Sequence, residues 1–414
     1  MPVSTGATGG ALSELRVLDL SRVLAGPWCG QILADLGAQV IKIERPGCGD
    51  DTRGWGPPYL RDAAGQETSE SAYFLGANRG KQSVTVDLTH PEGQALVRRL
   101  ALRCDVLLEN FKVGGLARYG LDYASLQPLN PRLIYCSITG FGQDGPYAQR
   151  PGYDFMIQAM GGLMSITGEP DERPGGGPQK VGVALADILT GLYAAVGVLG
   201  ALAWRERSGL GQHLDLALLD VQVACLANQA LNYLVSGQVP QRLGNAHPNI
   251  VPYQAFPAAD GHFILAVGND QQFARLARLL GESGWAEDSR YATNAARVRH
   301  RESLIPLLEE HLRQRQVDHW LRELEGLGIP CGPINTLDRV FADPQVQHRG
   351  LRLDLVHPLA GTAPGVRSPL RLSATPTGAE TAPPLLGQHT EEVLSTVLEL
   401  PVQEIARLRT AGII

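Results

Sequence analysis

Asp187 is the acid best placed for chemistry. It lies near the start of VGVALADILTGLYAAVGVLGALAW (181–204), a long run that is almost uncharged. ALAD followed by ILTGLYAAV sets it at or near a helix N-terminus, and two readings fit that position. An aspartate there caps the helix by accepting backbone N–H groups. The same helix end favours negative charge, so a buried carboxylate there stays ionised and nucleophilic, able to form covalent intermediates with acyl or phosphoryl groups. Tyr153 and Asp154 open another apolar helix in GYDFMIQAMGG (152–162) and admit a similar pair of readings, a capped helix with a packed tyrosine or a site. Glycines and cations form a third group: GPWCG (26–30), then Lys42, Arg45 and Arg53 in IKIERPGCGDDTRGWGPP, Arg79 and Lys81 in NRGKQ, and Lys112 and Arg118 in ENFKVGGLARYG. Cations at the strand ends of an α/β sheet suit a phosphate-bearing ligand. No GxGxxG or Walker loop is present, so a standard dinucleotide or P-loop site is not supported. RLGNAHPNIVPYQAF (242–256) reads as a polar loop carrying His247.

The elements that must position these residues follow from periodicity. RVLDL (16–20) reads as a strand, PWCGQILADL (27–36) as a helix opened by Pro27 and closed by Gly37, and QVIKI (39–43) as the next strand. Strands at 83–87, 105–110 and 132–140, with an amphipathic helix at 91–103, continue the alternation and predict a doubly wound α/β domain. The run 181–204 is long enough to span a membrane. It is the single run of its kind, it holds Asp187, and the remaining composition is that of a soluble protein, so it reads as a fully buried helix. Residues 254–335 read as a smaller unit with a strand at 262–267 and three helices, closed by GIPCGPIN; the tail from about 340 has weak periodicity and ends in one amphipathic helix. The predicted domains are 1–215, a linker at 216–253, a small α/β domain at 254–335, and 336–414 returning to the first.

With 414 residues, 19% charged, and a net charge of −6, the chain shows no basic stripe, and nucleic acid is not an expected partner. MPVSTGATGGALSEL lacks the cationic start and apolar run of a secretory leader. The six cysteines are scattered without a CxxC pair and no HExxH spacing occurs, so no metal site or disulfide framework is expected and a reducing cytoplasm fits.

Taken together, RVLDLSRVLAGPWCGQILADLGAQVIKIERPGCGDDTR, LLENFKVGGLARYGLDY, IYCSITGFGQDGPY, GYDFMIQAMGG, ALADILTG and PPLLGQHT resemble the class III CoA-transferase family. SRVLAGP, GDDTRGWGPP, NIVPYQAF, NDQQFA, GPIN and FADPQV most resemble its succinate–glutarate or hydroxymethylglutarate branch. The resemblance implies a Rossmann-like large domain plus a smaller α/β domain, in an interlocked homodimer. It makes Asp187 the nucleophile, with Tyr153 and Asp154 beside it, and matches CoA-binding positions to Val23, Leu24, Ala25, Arg45, Asn110, Phe111 and Arg118. CoA is then a substrate, in its acyl form, and no cofactor stays bound. The implied reaction moves CoA from an acyl-CoA such as succinyl-CoA to a dicarboxylic acid such as glutarate. Arg22, Arg53, Arg79 and His247 are candidates for the distal carboxylate. Backbone N–H groups near 24–26 or in the loop with Gly244 and Asn245 are candidates for an oxyanion hole.

Three departures narrow the family's chemistries. Racemases of the family have a histidine where this chain has Tyr153, and a phenol is too weak a base near neutrality to replace it. LGNAHPN stands where the formyl-CoA transferases carry a tetraglycine loop. Pro151 stands where those enzymes place a CoA-contacting lysine, leaving Arg150 as a substitute. The competing expectations are an acyl-CoA racemase or epimerase on the same fold and a non-catalytic CoA-binding protein.

Overall fold

The computed structural model describes residues 10–378 and 381–414. The start of the stretch read for a leader, residues 1–9, lies outside the described residues. The chain divides into two compact units. The first comprises residues up to 161, 182–225 and 344–414; the second comprises 162–181 and 226–343. The stretch 162–181, assigned from sequence to the large domain, clusters with the second unit instead.

The first unit is built on a six-stranded sheet. Its strands are β1 (Arg16–Asp19), β2 (Gln39–Glu44), β3 (Lys81–Thr85), β4 (Val106–Glu109), β5 (Ile134–Thr139) and β6 (His213–Ala217). They lie in the order 3-2-1-4-5-6 and every pairing is parallel, the doubly wound order of dinucleotide-binding folds. Both faces of the sheet carry buried apolar side chains, as a sheet covered on both sides requires. Leu18, Ile41, Val84 and Leu107 pack on α2 (Pro91–Ala101) and on two C-terminal helices, α6 (Thr390–Val397) and α7 (Val402–Thr410). Val17, Val40, Val106 and Ile134 pack on α1 (Ala25–Asp35) and α4 (Leu185–Ser208).

The helix expected in 181–204 is α4, and it is long and apolar enough to cross a membrane by composition. The expectation of full burial is corrected. One face, including Ala186, Gly191, Ala194, Val198 and Ala201, is buried, while Leu192, Tyr193, Val196 and Leu199 are exposed. The apolar stretch after β6 is two helices, α5 (Leu218–Ala224) and Ala227–Ser236, interrupted where Ala227 takes φ +47°. The tail, read as weakly periodic, contains an antiparallel hairpin of Arg352–His357 and Gly361–Val366 and ends in two helices.

The second unit has a three-stranded antiparallel sheet of Tyr253–Pro257, His262–Ala266 and Cys331–Pro333. Its core joins Phe256, Phe263 and Leu265 to Leu304, Leu308 and Trp320 from the helices.

Candidate active site

Strand order reverses between β1 and β4, and the loops leaving these strands open a crevice at their carboxyl ends, where open α/β sheets bind ligands. A cavity of about 510 Å³ lies there, walled by Arg22–Ala25, Asn110–Val113, Arg118, Gly152, Tyr153 and Asp187. Three helix starts reach it: α1 at Ala25, α3 (Asp154–Met160) with Tyr153 as its N-cap, and the first turn of α4. α1 and α4 approach closely at Gly191, where a Cβ would lie 2.7 Å from the Ala25 carbonyl oxygen and 2.9 Å from Trp28 Cβ. Gly191 is one turn beyond Asp187, so this crossing sets the carboxylate beside the start of α1.

Asp187 is the third residue of α4, not its cap. The capping is done by Asp154, whose Oδ1 accepts from the Ala186 N–H at 2.8 Å and the Asp187 N–H at 3.4 Å. Gln158 Nε2 donates to the other Asp154 oxygen at 2.7 Å. Of the two readings of Asp187, the structure therefore leaves it free of capping. The expectation that the helix end keeps it fully ionised is corrected as well. Burial, reinforced by the Asp154 charge, pushes its pKa up to about 7. A carboxylate of that basicity is half ionised at neutral pH and a stronger base than an exposed one.

The turn after β1 carries backbone strain. Val23 has φ +71°, a conformation that a β-branched residue rarely adopts. The Val23 N–H donates to Asp50 Oδ1 at 3.2 Å, and Asn110 brackets Arg22, accepting from its N–H at 2.9 Å and donating to its carbonyl at 2.7 Å. The N–H groups of Leu24, Ala25 and Gly26 have no partner among the described residues.

Two of the expected substrate cations are excluded by burial. Arg53 pairs with Glu44 at 2.8 Å and Glu70 at 3.3 Å, over the Phe74 ring. Arg79 pairs with Asp35 at 2.7 Å. Their guanidinium groups are committed to internal ion pairs, where planar bidentate geometry makes arginine the fitting residue. Lys42 and Lys81 are likewise internal, paired with Asp50 and Asp19. Arg22 is the expected cation left at the cavity wall. It is half-exposed and pairs with Asp51 at 2.9 Å. Arg118 is exposed over the Tyr119 ring, and Arg150, at the same wall, lies over Tyr147. Arg45 lines a neighbouring cavity of about 190 Å³ that shares Arg22 and Phe111 with the larger one.

Gly244, Asn245 and His247 belong to the second unit. The Gly244 N–H donates to the Gly168 carbonyl at 3.1 Å, so that group is not a free oxyanion donor. Asn245 is exposed. Burial, then the Arg301 charge, holds His247 below the ordinary histidine pKa, which disfavours its cationic form. Its Nδ1 accepts from the Asn249 N–H at 3.0 Å.

Asp50 and Gln158 were not singled out as site residues because each acts on a partner distant in sequence. Tyr73 was also missed: burial, then the charges of Asp187, Asp154 and Asp50, raise its phenol pKa, which places it near both acids. The paired acids of GDDTR were the available signal for Asp50.

The profile of CoA-transferase family III matches residues 12–390. A succinate–glutarate CoA-transferase of Agrobacterium fabrum is 56% identical over 93% of this chain and 95% of its own length. A succinyl-CoA:glutarate CoA-transferase of Homo sapiens is 43% identical over 97% and 90% respectively. Among solved structures, a CAIB/BAIF family protein from Brucella suis superposes with a TM-score of 0.81 at 52% identity, covering 94% of this chain and 100% of that one.

Proposed function

The chain belongs to CoA-transferase family III, and on that premise we propose that it carries CoA from succinyl-CoA to glutarate with Asp187 as the covalent carrier. The observation that carries this reading is the Asp187 carboxylate, free of capping and pushed up to about 7, at the wall of the switch-point cavity.

The chemistry runs as two matched halves. Asp187 attacks the succinyl thioester carbonyl; the C–S bond breaks, leaving a mixed anhydride and CoA thiolate. The thiolate attacks the aspartyl carbonyl, and succinate leaves with the electron pair of the anhydride C–O bond. Glutarate then attacks the aspartyl thioester and expels thiolate again. Attack of that thiolate on the glutaryl carbonyl of the second anhydride gives glutaryl-CoA and restores the Asp187 carboxylate. An acyl-activated bond persists throughout, so the transfer runs without ATP. The unpartnered N–H groups at 24–26 are suited to the oxyanion formed at each attack. Asp154 holds the first turn of α4 and thereby orients Asp187. The two adjoining cavities suit a long ligand: Val23–Ala25, Asn110, Phe111 and Arg118 line the larger and Arg45 the smaller. The side-chain amide of Asn110 serves the Arg22 peptide, so its contribution to CoA is positional. Arg22 and Arg150 are the cations for distal carboxylates or phosphates. Water exclusion matters because an anhydride is hydrolysed when water reaches it.

We also infer an interlocked homodimer, supported by the exposed apolar stripe Leu192–Val196–Leu199 on α4. Six free thiols support a reducing, cytoplasmic setting. A racemase reading has no support at position 153, where an exposed phenol stands.

The decisive experiment incubates the protein with succinyl-CoA and traps with hydroxylamine or borohydride, then maps adducts by peptide mass spectrometry. An adduct on Asp187 is expected. An unmodified Asp187, or normal turnover by D187A, overturns the carrier role.

A further inference from the structure

Four backbone groups around Arg22 are held by side chains from other segments. Lys42 Nζ donates to the Ser21 carbonyl at 2.8 Å; Asn110 takes both polar groups of Arg22; Asp50 Oδ1 accepts from Val23. Lys42 and Asp50 also pair with each other at 2.8 Å, and neither side chain is exposed. Ser21 O, Lys42, Asp50 and Val23 N–H thus close a ring around the residue whose successor is strained. A valine at φ +71° relaxes to an extended or right-handed conformation unless its surroundings forbid it. Rotation there would redirect the peptides that follow, which are the unpartnered N–H groups of Leu24, Ala25 and Gly26 at the start of α1. Asp50 is 1% exposed and is not part of the cavity wall that holds Asp187. With Lys42 it lines the smaller neighbouring cavity, and it reaches the Asp187 cavity through the turn.

We propose that Asp50 is a positioning residue for the transfer reaction: with Lys42 it holds Val23 in the left-handed conformation and so aims the N–H groups of residues 24–26 at the thioester oxygen. The inference rests on the reading of Asp187 as the attacking group and deepens it. Burial alone would raise the Asp50 pKa, yet Lys42 and the Thr52 hydrogen bonds bring it down to about 2, so the acceptor of the Val23 N–H is a carboxylate at every working pH. The same oxygen accepts from the Thr52 N–H at 3.0 Å and Oγ1 at 2.8 Å. A role confined to folding the 50–54 loop is therefore the competing account.

The two accounts separate in a double-variant comparison. Glycine takes positive φ without strain, so V23G removes the need for Asp50 as a brace. In the parent chain, D50N lowers kcat per site, with sites counted by Asp187 adduct formation, by roughly ten- to a hundredfold. Measured against V23G alone, the D50N/V23G pair loses no more than about twofold, a non-additivity expected only of coupled residues. Equal losses in the two backgrounds overturn the proposal. So does a drop in Tm with unchanged kcat per titrated site. If D50N does not fold, D50E keeps the charge against Lys42, moves the acceptor, and supplies the same comparison. A parent protein without succinyl-CoA:glutarate exchange refutes the functional reading instead. The Asp50 comparison is then read by calorimetry with CoA: weakened binding in D50N that V23G restores supports the brace, and equal weakening in both backgrounds refutes it.

Discussion

At the scale of single residues, burial around Asp187 governs both reactivity and pH dependence. Attack requires the carboxylate, and its pKa in the free protein is about 7. The kcat/KM for succinyl-CoA is therefore expected to rise with pH on an acid limb near 7 and to level off above it; a limb near 4 would contradict the burial argument. The same shift fixes a sign for stability. The folded form binds the Asp187 proton more tightly than the unfolded chain, so this group destabilises the fold progressively as pH rises from about 4 to about 7. D187N is expected to lower kcat by about a thousandfold or more. Its Tm should lie above the parent's at pH 8 and match it near pH 4, read by thermal denaturation at both values. Arg22 carries a different expectation. R22A should raise KM for glutarate roughly ten- to a hundredfold, the worth of a charge-assisted pair, while leaving monocarboxylate acceptors nearly untouched. An equal effect on both acid classes would move the distal carboxylate to another cation. Sequence showed which acid mattered here, through its helix-start setting and the family resemblance. It did not show that Asp154 rather than Asp187 caps α4, because the Asp154–Ala186 contact is made by folding across a separation of 32 positions. Nor did it separate Arg53 and Arg79 from Arg22: an arginine after a strand reads the same whether its partner is Glu44 or a substrate.

At the scale of elements, the α1–α4 crossing places the chemistry. G191A puts a methyl against the Ala25 carbonyl and Trp28, and the helices must separate to admit it. Overpacking of this kind costs about 1–3 kcal/mol. Urea melts should show that loss, and kcat should fall with it because Asp187 shifts relative to the 24–26 peptides. A G191A protein with parental kcat would show that the crossing does not position the carboxylate. Strands β1, β2, β4 and β5 and helices α1, α2 and α4 were legible, since each is a strong periodic or apolar run closed by glycine or a polar loop. The hairpin in the tail was not. Leu353, Leu355 and His357 do alternate inward, but exposed Val356 and the Pro364 in the partner strand blur the period. The break near Ala227 was hidden because the sequence stays helix-forming across it, and the backbone bends there without glycine or proline.

At the scale of the whole molecule, the exposed stripe on α4 predicts association. The parent chain is expected to run as a dimer in light scattering, and V196E, placing a charge on a residue that is 65% exposed in the single chain, should shift mass toward monomer or precipitate. A monomeric parent would remove the homodimer from the proposal. The division into domains was only partly legible, because composition does not reveal that 162–181 belongs with the second unit. The interleaving of the first unit has a further consequence for how the protein is made. Strand β3 hydrogen-bonds through Ser83 to His389, 306 positions later, and Ile413 is 1% exposed in the same core. On the ribosome the sheet emerges early, yet one of its faces is covered only in part, by α2, until residues 390–413 are translated. At synthesis rates of about 5–20 residues per second that interval is on the order of tens of seconds. During it, the part of the Leu18, Ile41 and Val84 face that α6 and α7 will cover lacks its partners, while the second unit, already complete in sequence, is free to fold first. A ribosome stalled before residue 390 should therefore hold a protease-sensitive sheet beside a protease-resistant second unit.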